Sequence, residues 1–273
     1  MTRLFCRREK KICDTNKLIN DLTSTGIVFF GEKHEVPSVL VAELEILDLL
    51  YGISADITLG LEHFNYKQQW ILDEYLSESL EWEKVKQAYA RGYEGFNLDF
   101  YRPLLDYARN HGIKVYGLMA PREYARQVSR NGLEALESLE CIVRPGDIWL
   151  GPPSYRRSFF KAVDEALKSG PMGRLDPEKL FFAQAYKDEV ASRMIARIIK
   201  DYPGERLAQG PPVMMVVMGS MHVGVEGSVP SRLARLVRDV SFKVIVAEPG
   251  LREMDLVSGL KESFGLADYF VVS

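Results

Sequence analysis

Six short runs in this chain, Gly26–Phe30, Ile57–Leu61, Ile113–Leu118, Val213–Met218, Phe242–Val246 and Tyr269–Val272, are apolar or β-branched, several of them on successive residues and not on alternate ones. A strand that is apolar on both faces must be covered on both, which is the situation of parallel strands lying between helices. The intervening segments carry helical spacing: Val39–Leu50, Tyr66–Leu76, Trp82–Ala90, Phe100–Asn110 and Leu180–Asp201, the last with Ala191, Met194, Ile195 and Ile198 on one face. Strand and helix thus alternate, and the expected fold is α/β, with a mainly parallel central sheet flanked by helices. At 273 residues the expectation is one domain over 1–273, its sheet core drawn from 15–143 and 178–273. The stretch 144–177 gathers Pro145, Pro152, Pro153, Gly170, Pro171 and Gly173 around a helical pattern at Arg157–Lys168, and reads as a helical insertion or lid.

A net charge of −3 argues against a nucleic-acid partner or an anionic membrane surface, both of which call for a basic excess. The apolar share of 47% and charged share of 27% suit a chain that buries a substantial core. No apolar run approaches the ~20 residues of a membrane span. Cys6, Cys13 and Cys141 are odd in number and lack a CxxC spacing, so a reducing compartment, the cytoplasm, is expected. The basic start, with Arg3, Arg7, Arg8, Lys10 and Lys11, is expected to be a solvated, frayed arm.

Three of the four histidines follow strand runs, where ligands bind in open α/β sheets. Gly31-Glu32-Lys33-His34 and Gly219-Ser220-Met221-His222 repeat one arrangement, a strand, a glycine, two residues and a histidine, and Leu61-Glu62-His63 ends a third strand with a carboxylate beside an imidazole. Two neutral imidazoles and a carboxylate, His34, His222 and Glu62, suit a divalent ion of intermediate softness, iron, manganese, zinc or cobalt, with coordination positions left open. Glu32 is then placed either as a base or as a partner that orients an imidazole. His63, next to Glu62 on an extended backbone, projects to the opposite face as a core residue or a supporting one. His111, in Asn110-His111-Gly112, reads as a helix end. The chain has no GxSxG elbow, no GxxxxGK[ST] loop, no HExxH helix and no GxGxxG after a strand.

These motifs, with Tyr101–Ala108 and Gln184–Ala191, resemble the ChaN-like haem-binding proteins and the wider superfamily that includes the Tiki metalloproteases. The resemblance implies the same α/β fold and two alternative functions. One is haem or iron binding; the other is metal-dependent hydrolysis of a peptide or amide bond, with His34, Glu62 and His222 as ligands. Two features of the family differ here: Val39-Leu40 stands where a histidine pair often follows the first GxxH motif, and Leu118-Met119-Ala120 lacks the asparagine expected before Pro121. Tyrosine can ligate haem iron, which makes Tyr155 and Tyr186 candidates, with Arg156 and Arg157 near a carboxylate or propionate and Asp188 capping or bonding the site. The partners implied are haem, a small molecule or a peptide, and a homodimer stays open.

Overall fold

The computed structural model describes residues 2–92, 94–169, 176–257 and 264–272. Eight strands form one sheet: β1 (Arg3–Cys6), β2 (Lys11–Ile12), β3 (Ile27–Glu32), β4 (Thr58–Asn65), β5 (Val115–Met119), β6 (Met214–Gly219), β7 (Phe242–Ala247) and β8 (Tyr269–Val272). Their order is β2-β1-β8-β7-β3-β6-β4-β5, and every pair from β8 to β5 is parallel. The fold is α/β, as the runs of successive apolar residues require. Strand β6 inserts between β3 and β4, so the carboxyl ends of the three motif-bearing strands lie side by side.

Alternation decides which residues meet which helices. Ile27 and Phe29 of β3, with Met214, Val216 and Met218 of β6, pack into one apolar layer under the helices Pro153–Ser169, Pro177–Ile199 and Val229–Leu236. Val28 and Phe30, with Met215 and Val217, pack into the other, under Pro37–Ile53, Gln69–Leu76 and Leu98–Asn110. Each fully buried side chain of this size contributes about 1.5–3 kcal/mol relative to exposure. The same alternation carries Glu32 and His63 to the second layer and Glu62 to the first.

One part of the chain differs from expectation. The basic amino-terminal segment is not a frayed arm: β1 pairs antiparallel with β8, and Leu4, Phe5 and Cys6 are buried while the arginines face out. Leu4, Phe5 and Cys6 are three successive apolar residues, Phe5 packing into one layer and Leu4 and Cys6 into the other, which a count of charges does not reveal. Segment 144–177 holds the helix Pro153–Ser169, whose Tyr155 and Phe159 enter the first apolar layer; Gly170, Pro171 and Gly173 lie outside the described residues. Among the described residues no helix is long and apolar enough to cross a membrane.

Candidate functional site

At the end of β3 the chain passes Glu32 and turns at His34; β6 ends at Gly219 and enters the short helix Ser220–Val223, which carries His222. The two ends are tied together, since the Ser220 hydroxyl donates to the Glu32 carbonyl at 3.0 Å. Both glycines of the paired motifs stand where a side chain would crowd its neighbours. A Cβ on Gly31 would come within 2.8 Å of Val223 Cγ2, so only glycine lets the short helix sit against β3. A Cβ on Gly219 would come within 3.0 Å of His34 Nε2 and 3.4 Å of Glu62 Oε2, filling the space between two donors. The Gly219 N–H instead donates to Glu62 Oε2 at 2.6 Å.

The two imidazoles are held in the same way. Nδ1 of His34 is 2.9 Å from Glu32 Oε1, and Nδ1 of His222 is hydrogen-bonded to Asp188 Oδ1, with Gln184 Nε2 at 3.1 Å. Both carboxylates are buried, Glu32 at 2% exposure and Asp188 at 0%. Each histidine therefore turns its Nε2 away from its carboxylate. Nε2 of His222 lies 3.4 Å from Glu62 Oε1 and 3.4 Å from Lys187 Nζ. A carboxylate on the far ring nitrogen fixes tautomer and orientation, the usual support of metal-ligating histidines.

The helix Pro177–Ile199 delivers Gln184, Lys187 and Asp188 to this point. It starts cleanly, with Pro177 in the first turn and the Asp176 side chain accepting from Glu178 N. Spacings of three and four residues then put all three side chains on the face turned to His222. Asp188 is further fixed by Tyr155, whose hydroxyl donates to Oδ2 at 2.6 Å.

Charges are strongly coupled here. Burial opposes ionisation of Glu62, but His222, His34 and Lys187 hold its carboxyl well below the ordinary range. Burial likewise opposes the His222 cation, yet Glu62 and Asp188 raise it to about 9. Glu32, desolvated but facing His63 and His34, is lowered to about 2. Beside it the buried Glu43 is pushed well above the carboxylate range by burial and by the Glu32 charge, and so stays neutral.

His34 and Glu62 open into a cleft of about 260 Å³ lined also by Glu94, Phe96, Arg122 and Lys187, with Met119, Ala120 and Ala125 as apolar wall, while His222 lies buried behind Glu62 and Lys187. Glu32 does not line it. Its carboxylate is taken up by His34, by His63 Nε2 at 2.7 Å and by the Tyr101 hydroxyl at 3.2 Å, so it is placed to hold a ring and not to reach a ligand as a base. Glu32, His34 and His63 do present atoms within 4.8 Å of one another, a second possible donor set. Both imidazoles there already share Glu32 Oε1, and His63 is fully buried against Tyr101. Among the described residues Glu32, His34 and His63 are the grouping compact enough to hold an ion on that distance criterion, whereas His34, Glu62 and His222 are more widely spaced.

Tyr155 and Tyr186 stand away from the cleft, contrary to the expectation for haem ligands. Tyr155 is buried beneath Asp188, and Tyr186 is buried near Tyr66, Tyr124 and Cys141, which with burial raises its hydroxyl. Arg156 pairs with Glu178 and stacks over Phe160 and Phe181. His111 Nδ1 meets the Tyr107 carbonyl at 2.8 Å at its helix end. Sequence reasoning did not single out Tyr101, Glu43, Gln184, Glu94, Lys187 or Arg122; for Tyr101, Gln184 and Lys187 the signal was membership of a recognised motif, and for the others there was none.

Comparison with known proteins places the chain. The family model for haem-binding uptake proteins of the Tiki superfamily, ChaN, matches residues 18–233. Protein RETICULATA-RELATED 5, chloroplastic, of Arabidopsis thaliana is 28% identical over 251 residues, which cover 86% of this chain and 33% of that protein. The chain thus spans about a third of the length of that relative. A solved structure described as cofacial heme binding to ChaN of Campylobacter jejuni superposes with a TM-score of 0.72 at 14% identity, covering 99% of this chain and 96% of that one. At that identity the likeness establishes a shared fold.

Proposed function

The chain belongs to the haem-binding uptake family of the Tiki superfamily, ChaN, and from that membership we propose that it handles iron, or a related divalent ion, at the mouth formed by His34, Glu62 and His222. The observation that carries this reading is the matched support of the two imidazoles: each has Nδ1 fixed by a buried carboxylate and Nε2 turned towards Glu62. The donor types of His34, Glu62 and His222 suit iron, manganese, zinc or cobalt. Glu32 and Asp188 act as positioning residues, and Tyr155 positions Asp188. Bound there, a divalent ion supplies Lewis acidity and open coordination positions.

A haem ligated by Tyr155 or Tyr186 does not fit, because both hydroxyls are buried away from the cleft. A haem would have to meet His34, whose side chain is 39% exposed, from outside a cleft of about 260 Å³. One observation favours hydrolysis of an amide or peptide bond as a second reading: Glu94, raised by burial, lines the same cleft and is placed to move a proton beside the donors. The three cysteines, all free, suit a reducing compartment. The cytoplasm or, by analogy with the chloroplastic relative, a plastid provides one.

The test is a comparison of ligands on one preparation. Protein stripped with chelator and dialysed against Fe(II), Mn(II), Zn(II) and Co(II) is expected to retain one ion per chain, while haemin titration gives no saturating Soret shift. Stoichiometric haem uptake without any retained ion overturns the proposal.

A further inference from the structure

The cleft described above does not end at its rim. Arg122, Ala125 and Lys187 line it and also line a neighbouring cleft of about 280 Å³, so the two form one continuous groove. Its far half is walled by Phe159 and Val163 of the helix Pro153–Ser169 and by Leu180 and Ala183 of the helix Pro177–Ile199. Leu180, Ala183, Gln184 and Lys187 fall at helical spacing on one stripe, which runs from the apolar end to the donors.

The groove is graded in chemistry along its length. At one end stand His34 and the carboxylates Glu62 and Glu94, in the middle the cations Arg122, Lys187 and Arg126, and at the other end an apolar wall. Lys187 Nζ lies 3.4 Å from His222 Nε2, and Arg122 lies against Gly95, where a Cβ would come within 2.0 Å of its Nη1, and faces Glu94. Of the side chains that line both clefts, Arg122 and Lys187 are cations and none is a carboxylate, so an organic cation is disfavoured where the two meet. A polar anion such as a sugar phosphate would leave Phe159, Val163 and Leu180 without apolar contact.

We propose that the groove takes a linear acyl carboxylate, its carboxylate at Lys187, Arg122 and Arg126 beside the donors and its alkyl chain along Phe159, Val163 and Leu180. This ligand class rests on the cleft being a ligand site, as proposed above, and not on which ion occupies it. The cations and the apolar wall belong to the chain itself, so binding is expected with or without metal.

The probes are butanoate, hexanoate, octanoate and decanoate, titrated calorimetrically into the full chain both stripped and metal-loaded, with decyltrimethylammonium as control. Affinity should rise about fourfold for each methylene buried, and the ammonium should give no heat where decanoate saturates. Val163→Asp should flatten the chain-length dependence, Ser129→Glu at the groove edge should do so without placing a charge beside the core, and Lys187→Met should weaken every length at least tenfold. Affinity independent of chain length, an ammonium that binds like decanoate, or native behaviour in both apolar-end variants overturns the inference. Metal content measured on the same samples separates the two readings: decanoate binding without ion uptake removes the metal proposal alone, and ion uptake without chain-length dependence removes the acyl ligand alone.

Discussion

Replacing Asp188 by asparagine probes how His222 is presented. The native carboxylate accepts from Tyr155 Oη at 2.6 Å through Oδ2 and from His222 Nδ1 through Oδ1. In Asp188→Asn the amide oxygen can still accept from Tyr155, but the amide NH₂ then faces His222 Nδ1. In the neutral ring, the form that binds metal, that nitrogen must become the acceptor, which leaves the ring proton on Nε2, the atom facing Glu62 at 3.4 Å. A metal would have to displace a proton from the one nitrogen offered to it. Losing such a carboxylate partner costs about 10–100-fold in metal affinity, which is about 1.4–2.7 kcal/mol. The variant also loses one of the two carboxylates that raise His222 to about 9, so the imidazole should titrate lower in the metal-free protein. Competition titration against a chromophoric chelator measures the first effect, and NMR titration of the ring protons the second. Affinity within twofold of the native value, with an unshifted imidazole titration, would refute the idea that Asp188 sets the His222 tautomer.

Other consequences are open to measurement. Gly219→Ala should abolish ion retention at a small cost in folding, because the new methyl meets mobile ring and carboxylate atoms at 3.0–3.4 Å; Gly31→Ala, which drives a Cβ to 2.8 Å from Val223 Cγ2, should cost about 1–3 kcal/mol in urea unfolding. The metal-free protein should lose stability as pH rises from 6.5 through about 9, since a raised His222 contributes fully below its ordinary 6.5 and nothing above its folded value; added metal should blunt that loss, and a calorimetric midpoint flat over the interval counts against it. On the acid side Glu32, ordinarily near 4.5 and lowered to about 2, contributes above 4.5 and should lose its stabilisation as pH falls towards 2. Phe5→Ala should destabilise by about 3–5 kcal/mol in urea, a loss that a frayed arm would not show.

The architecture was legible in the sequence because parallel strands covered on both faces write themselves as unbroken apolar runs. Each of the six runs is a strand in the structure, Tyr269–Val272 to the residue. The β3, β4, β6 and β7 strands extend past their apolar runs, and in β4 the polar tail Glu62-His63 continues the pleat because Gly219, His222 and Glu32 receive those side chains. No local pattern announces that. The positions of His34 and His222 just after strands were readable, as was that of Glu62 towards the carboxyl end of one, and so was the opposite facing of His63, which follows from the period of two. Glu43, Glu94 and Arg122 were not readable, because each acquires its role from a neighbour distant in sequence: Glu43 from Glu32 across the helix layer, Glu94 from Asn65, whose Nδ2 donates at 2.7 Å, and Arg122 from the cleft it shares with His34. Tyr155 was noticed for its chemistry but misplaced, since an aromatic in a proline-bracketed segment gives no sign that its hydroxyl will be spent on Asp188.

Two overlapping donor sets share His34, and they make opposite demands on its ring. The set proposed here uses Nε2 with Glu62 and His222, and the compact set beneath it would use Nδ1 with Glu32 and His63. The decisive measurement is the ion content per chain of Glu62→Ala, His222→Ala and His63→Ala, each purified from chelator and reloaded under identical conditions. The account predicts that Glu62→Ala and His222→Ala retain no ion and that His63→Ala retains close to one. Retention in His222→Ala together with loss in His63→Ala would contradict it.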